Sequence, residues 1–183
     1  MSDQPKSKPT DTGVSALQVN AAHPAAGNSP ASTDSAWQRC LSPTGCALDE
    51  AALTEFAAAY ATHLNVPGEV LLLRGDLGAG KTTFARALLR ALGVTTPIKS
   101  PTYSLVETYD TRLGAVQHFD LYRLQDAEEL EFLGFRDLCS QAALVMIEWP
   151  ERAEALLPAA TYELSLSYEN DMRRVHQAAL AGL

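Results

Sequence analysis

Val70, Leu71, Leu72 and Leu73 form a short unbroken apolar run, and the stretch after it at residues 75–89, GDLGAGKTTFARALL, places Phe84, Leu88 and then Leu92 at helical spacing. An unbroken run of this length reads as a strand buried on both faces, the pattern of a parallel sheet, and recurrence every three to four residues reads as a helix with one buried face. Strand, glycine-rich turn and helix therefore follow one another. Upstream, Asp49 can cap a helix that carries Leu53, Phe56, Ala57, Tyr60 and Leu64 on one face, and Pro67 and Gly68 end that connection. A first strand is expected at residues 37–41.

Downstream, Gly93 supplies a C-cap, and residues 104–109 and 115–121 pair as a hairpin around a turn at 110–114. Asp126 and Glu129 have capping-box spacing ahead of another short helix. Residues 143–147 are again continuously apolar, and residues 150–157 predict a helix with its proline in the first turn. Residues 162–168 alternate, turn at Glu169, Asn170 and Asp171, and return over 173–179, which predicts an antiparallel hairpin at the sheet edge.

Residues 1–36 break this pattern. They are rich in Ser, Pro, Ala, Asn and Asp and nearly devoid of large apolar side chains, so burial cannot offset the entropy of ordering them. A disordered tail over 1–36 and one folded domain over 37–183 are expected. The whole chain of 183 residues is 46% hydrophobic and 20% charged, enough for one α/β core. Its net charge of −8 gives no broad cationic surface for DNA or RNA, so a nucleic-acid connection would run through a partner.

No apolar run approaches the roughly 20 residues that span a bilayer. The N-terminus lacks the charged-then-apolar order of a signal peptide, and its acids and the absence of arginine before Arg39 argue against a transit peptide. Cys40, Cys46 and Cys139 are odd in number, without C-x-x-C spacing, and read as reduced thiols of a cytoplasmic protein with no membrane association.

The glycine-rich turn carries the chemistry. Gly75, Gly80, Lys81 and Thr82 complete G-x-x-x-x-G-K-[ST] in the strand-turn-helix setting that a phosphate-binding P-loop needs. Glycines let the backbone approach the ligand, so successive N–H groups and the helix N-terminus can face phosphate oxygens. Asp76, Leu77, Gly78, Ala79, Gly80, Lys81, Thr82 and Thr83 are the expected cradle for ATP, with Lys81 on the β and γ phosphates and Thr82 on magnesium. The fold class expected is α/β: a P-loop NTPase three-layer sandwich, its central sheet mostly parallel with antiparallel hairpin additions.

Ligands in such sheets sit beyond the carboxyl ends of the strands. Glu148 ends the apolar run at 143–147 and is placed to hold magnesium or orient a water; an ordinary polar strand terminus is the alternative. In HFDLYR, His118, Asp120 and Tyr122 share one strand face, so Asp120 could reach the metal or its waters, or be a cap or a solvated charge. Thr102 could sense the γ-phosphate or be turn chemistry in Ser-Pro-Thr. Lys81, Asp120 and Glu148 are the candidate catalytic set, and Thr82, Glu148 and Asp120 the candidate metal set. His118 and Trp149 receive no role.

In order, GDLGAGKTTFARALLRALG at 75–93, SPTYSLVETY at 100–109, HFDLYRL at 118–124, ELEFLGF at 129–135 and IEWPERAEALLP at 147–158 resemble the bacterial TsaE (YjeE) family. The resemblance covers the chain from about residue 37 to the C-terminus and not the tail. It implies a small ATPase that works with the TsaB and TsaD subunits, TsaD transferring a threonylcarbamoyl group to adenosine 37 of tRNA, with hydrolysis resetting the assembly between turnovers. It also implies that Lys81 and Thr82 bind phosphate and magnesium, that Thr102 lies on a nucleotide-sensing loop, and that Asp120 and Glu148 complete the magnesium and water shell.

A small-molecule kinase would need an acceptor pocket and usually an arginine-bearing lid, and the arginines are scattered. No N-K-x-D sequence for reading guanine occurs. A nonhydrolysing nucleotide-binding adaptor stays open.

Overall fold

The computed structural model describes residues 38–42, 44–64 and 67–178, all within one compact unit that spans 31–183. The expected tail at 1–36, and Trp37 at the head of the expected first strand, lie outside the described residues. Seven strands are seen among them: β1 (Cys46–Leu48), β2 (Glu69–Arg74), β3 (Val106–Thr111), β4 (Gly114–Asp120), β5 (Leu144–Glu148), β6 (Tyr162–Glu169) and β7 (Met172–Gln177). The helices are α1 (Glu50–Tyr60), α2 (Lys81–Ala91), α3 (Glu128–Phe132) and α4 (Phe135–Gln141).

The strands form one sheet in the order β1-β7-β6-β2-β5-β4-β3. The centre, β6-β2-β5-β4, is parallel, and β3, β7 and β1 add to it antiparallel. Burial explains the two apolar runs. β2 and β5 are the middle strands, so both their faces meet side chains, and all five positions of β5 are buried.

The two-residue period of a strand divides the core between the faces. Leu71, Leu73, Leu144 and Met146 pack with Leu53, Phe56 and Tyr60 of α1 and with Phe84 and Leu88 of α2. The rings of Phe56, Tyr60 and Phe84 meet one another at 5.7–5.8 Å between centroids. On the other face, Leu72, Phe119, Val145 and Ile147 pack with Leu130 of α3 and Phe135 of α4, and Phe119 meets Phe135 edge-on at 4.9 Å. Each such side chain, fully buried, contributes about 1.5–3 kcal/mol. Helix α2 thus lies against one face of the strand whose end feeds the glycine-rich turn.

Local signals account for the element ends. Asp49 accepts the Ala52 N–H at 2.8 Å and caps α1 as expected, and Gly93, at φ 102°, ends the turn after α2. Glu129 reaches back to the N–H groups of Gln125 and Asp126, and Asp126 takes that of Glu128.

Four expectations are corrected. Residues 38–40 are helical, and the first strand is Cys46–Leu48. The stretch 150–157 is two 3₁₀ turns, Pro150–Arg152 and Glu154–Leu156, because buried Ala153 at φ −145° interrupts the helical path. The hairpin β6–β7 is not at the edge, since β1 pairs along the outer side of β7. Finally, Cys40 and Cys46 are joined in a disulfide with Cα atoms 4.6 Å apart. The helical residues 38–40 and a turn in which Gly45 N–H donates to Ser42 O fold the two thiols together, a proximity that spacing alone does not reveal. Cys139 is the free thiol among the described residues. No described helix is long and apolar enough to cross a membrane.

Candidate active site

The glycine-rich loop runs from the end of β2 to the first residue of α2. Gly75 has φ 137°, and a Cβ there would collide with the Leu166 carbonyl oxygen, so no side chain fits. Gly80 heads α2 at φ 105° with no side-chain cap, which leaves the first N–H groups of the helix directed into the loop. Lys81 Nζ donates to the carbonyl oxygens of Gly75 at 2.5 Å and Asp76 at 2.9 Å. Its ammonium also lies 3.8 Å from the centre of the Trp149 ring. Burial lowers the Lys81 pKa from its usual value, and the charges of Glu148, Glu151, Asp120 and Asp76 oppose that shift.

Two acids stand side by side at the carboxyl ends of neighbouring strands. Asp120 of β4 and Glu148 of β5 are register partners, and Leu73, two residues before Gly75, pairs with Glu148 from the other side. Sheet register therefore sets the spacing of loop and acids. Thr82 donates its hydroxyl to Glu148 Oε2 at 2.7 Å, and His118 Nε2 lies 2.8 Å from Glu148 Oε1. Asp120 accepts from the Thr102 hydroxyl at 2.6 Å and from the Tyr122 N–H at 3.1 Å, and Ser100 and Thr102 share a hydrogen bond at 2.8 Å.

These groups surround a cleft of about 480 Å³, lined by Leu77, Gly78, Gly80, Lys81, Thr82, Thr83, Thr102, Asp120 and Glu148, together with Tyr122, Arg123 and Trp149. That size suits a nucleotide-scale ligand. Of the expected cradle, two side chains stand apart from the cleft wall. Ala79 is buried beneath the loop, and Asp76 is exposed while its carbonyl serves Lys81. A second cleft of about 420 Å³, near Phe135, Arg136, Cys139 and Leu157, gathers no acids and no glycine-rich loop.

Sequence reasoning missed several cleft residues. Trp149 takes a positive φ of 59° where β5 ends, and its ring meets Tyr122 at 4.9 Å. Arg74 holds that turn through ion pairs to Glu151 at 3.5 Å and Glu154 at 2.8 Å. Arg123 lies 4.1 Å over the ring of exposed Tyr103, next to Thr102. Tyr168 of β6 donates to Gly78 O at 2.7 Å and is itself covered by Arg173 of β7 at 4.4 Å. Tyr122 and Arg123 had a signal in H-x-D-x-Y-R, whereas nothing local points Tyr168 at a loop 90 residues away.

The oxygen donors Thr82, Asp120 and Glu148 fit a hard cation such as magnesium. Magnesium takes one or two carboxylates beside phosphates and water, and no group of three His, Cys, Asp or Glu forms a protein-only metal cage among the described residues.

A family model described as threonylcarbamoyl adenosine biosynthesis protein TsaE matches residues 47–176. The tRNA threonylcarbamoyladenosine biosynthesis protein TsaE of Haemophilus influenzae is 44% identical over 114 residues, 62% of this chain and 72% of that protein. Its counterpart in Bacillus subtilis is 34% identical over 123 residues, 67% of this chain and 74% of that one. The crystal structure of Bacillus subtilis YdiB matches with a TM-score of 0.58 at 28% identity, covering 70% of this chain and 78% of that one. The family model covers most of this sequence and the fold is shared with a solved relative, so the chain belongs to the TsaE family.

Proposed function

We propose that residues 37–183 form a magnesium-dependent ATPase that serves tRNA threonylcarbamoyladenosine synthesis in the cytoplasm. The observation that carries this reading is the convergence of the Lys81 ammonium, the Thr82 hydroxyl and two adjacent carboxylates on one cleft beside the N-terminus of α2. Lys81 exchanges its two carbonyl contacts for the β and γ phosphates of ATP. The loop N–H groups and α2 take up the remaining phosphate charge. Thr82, Glu148 and Asp120 would hold magnesium, which when bound screens the charge that builds on the phosphates. Glu148 then orients the attacking water, and Asp120 holds the Thr102 loop against the cleft.

The cycle we propose is one of partner control. ATP orders the loop around Thr102, which stabilises a surface gripped by TsaB and TsaD, and hydrolysis loosens that grip and resets the assembly. The names of the relatives support the pathway, and the net charge of −8 supports tRNA being held by the partners rather than by this chain.

Steady-state ATP hydrolysis, with and without TsaB and TsaD, tests the reading. Turnover should need magnesium, rise with the partners and fall at least about 10²-fold in Lys81→Ala, the scale on which a charge-stabilising donor acts. Tight ATP binding without hydrolysis in either condition would replace this reading by the nonhydrolysing adaptor. Phosphoryl transfer to an added acceptor would replace it by the kinase.

A further inference from the structure

His118 is fully buried, in the middle of β4, and no role has been given to it. Its Nε2 lies 2.8 Å from Glu148 Oε1, and its Nδ1 has no hydrogen-bond partner. Burying a ring nitrogen without a partner is costly, so an apolar side chain would fill the same space at less expense to the fold. The ring is therefore not explained by packing. What distinguishes it from a leucine is the one N–H it can aim at Glu148.

The geometry points to His118 as a positioning residue for Glu148: its Nε2–H fixes Oε1, so that the carboxylate shows only Oε2 to Thr82 and the cleft. This rests on the reading of Glu148 as the acid that holds magnesium or its water. An ionised carboxylate accepts and cannot donate, so the proton of the contact belongs to the ring, on Nε2. Each oxygen of Glu148 then has one protein donor, His118 on Oε1 and Thr82 on Oε2. Rotation of the carboxylate about its last bond would break both. Without His118, Oε1 would be buried without its hydrogen-bond partner, and the carboxylate could turn toward the cleft with either oxygen. A group that orients a ligand from behind acts on affinity for the metal and on turnover, not on the phosphate cradle.

Two measurements decide it. The first is the long-range ¹H–¹⁵N spectrum of the His118 ring in nucleotide-free protein, which does not depend on any ATPase activity. A proton on Nε2 is expected, and a bare Nε2 would overturn the assignment. The second compares His118→Leu with His118→Gln, whose amide N–H can stand near the position of Nε2. In His118→Leu the gain in ATP affinity on adding magnesium, and kcat, should each fall about 10- to 100-fold, while ATP affinity in EDTA barely moves. His118→Gln should recover a large part of both losses. Equal losses in the two variants, or a folded His118→Leu with an intact magnesium effect, would refute the role. Should the wild-type protein prove to have no ATPase activity, the ring spectrum and the magnesium effect on binding still answer the question separately.

Discussion

The Thr102 hydroxyl donates to Asp120 Oδ2 at 2.6 Å, and this bond ties the loop after α2 to the end of β4. It joins two segments 18 residues apart at the rim of the cleft, and exposed Tyr103 follows directly on the loop side. Thr102→Val keeps the shape and removes the donor. Hydrogen exchange over residues 100–105 should then be faster in nucleotide-free protein, and the difference between ATP and ADP states over the same residues should shrink. Unchanged protection in both comparisons would mean that the bond does not hold the loop.

Glu148→Gln separates binding from chemistry. The amide can still accept from Thr82 but cannot carry charge or take a proton from water, so hydrolysis should fall about 10²- to 10⁴-fold while ATP still binds. Single-turnover hydrolysis beside equilibrium ATP binding reads the two effects apart.

Gly75 and Gly93 both have positive φ but different surroundings. A Cβ at Gly75 would strike the Leu166 carbonyl, and at Gly93 it would meet nothing within 4 Å. Gly93→Ala should cost about 1–2 kcal/mol, the penalty of the left-handed backbone. Gly75→Ala should cost more, about 3 kcal/mol in total, because strain and collision add. Urea denaturation of the two variants gives the comparison directly.

Burial pushes the Cys139 thiol up to about 11. A thiol whose folded pKa is raised contributes stability that is complete below its unfolded pKa and is lost as pH rises through the folded one. Wild-type stability should therefore decline between about pH 8.5 and 11 more than that of Cys139→Ala. Alkylation of Cys139 by iodoacetamide should be slow at pH 8 and climb toward pH 11.

The bond between Cys40 and Cys46 closes a short loop, with a sequence separation of 6. Loop-closure entropy for so small a ring corresponds to about 2 kcal/mol. Cys46→Ser should lower stability by that order, and peptide mapping without reductant should recover the 40–46 crosslink with Cys139 as a free thiol.

The loop, α2 and the two acids were legible because they obey local rules. A strand must be apolar on both faces to sit mid-sheet, and an acid that ends such a strand must emerge at its carboxyl end. The same alternation put His118 and Asp120 on one strand face and Phe119 on the other, and Phe119 packs in the core cluster of α3 and α4 while Asp120 lines the cleft. What was not legible depends on meetings across the fold. The contact of Glu148 with His118 spans 30 residues, and the position of β7 inside the sheet depends on a three-residue strand, β1, too short to announce itself. The 3₁₀ turns after Trp149 carry helix-compatible residues, but the ion pairs of Arg74 and the burial of Ala153 set their path. The cysteines paired because of a turn whose geometry their spacing does not encode.

The turn between β6 and β7 is the place an engineer would choose for a tag or an inserted peptide, with Asn170 at φ 56° in a tight surface bend. Yet Tyr168 lies two residues before it and Arg173 three after, and together they brace Gly78 of the glycine-rich loop. Cargo spliced into that bend would be felt at the glycine-rich loop. The turn between β3 and β4, at the opposite end of the sheet, stands clear of the cleft. But Arg112 donates to the carbonyls of Ala61 and Leu92 and Leu113 packs on the core, so cargo there would be felt at the ends of α1 and α2 instead.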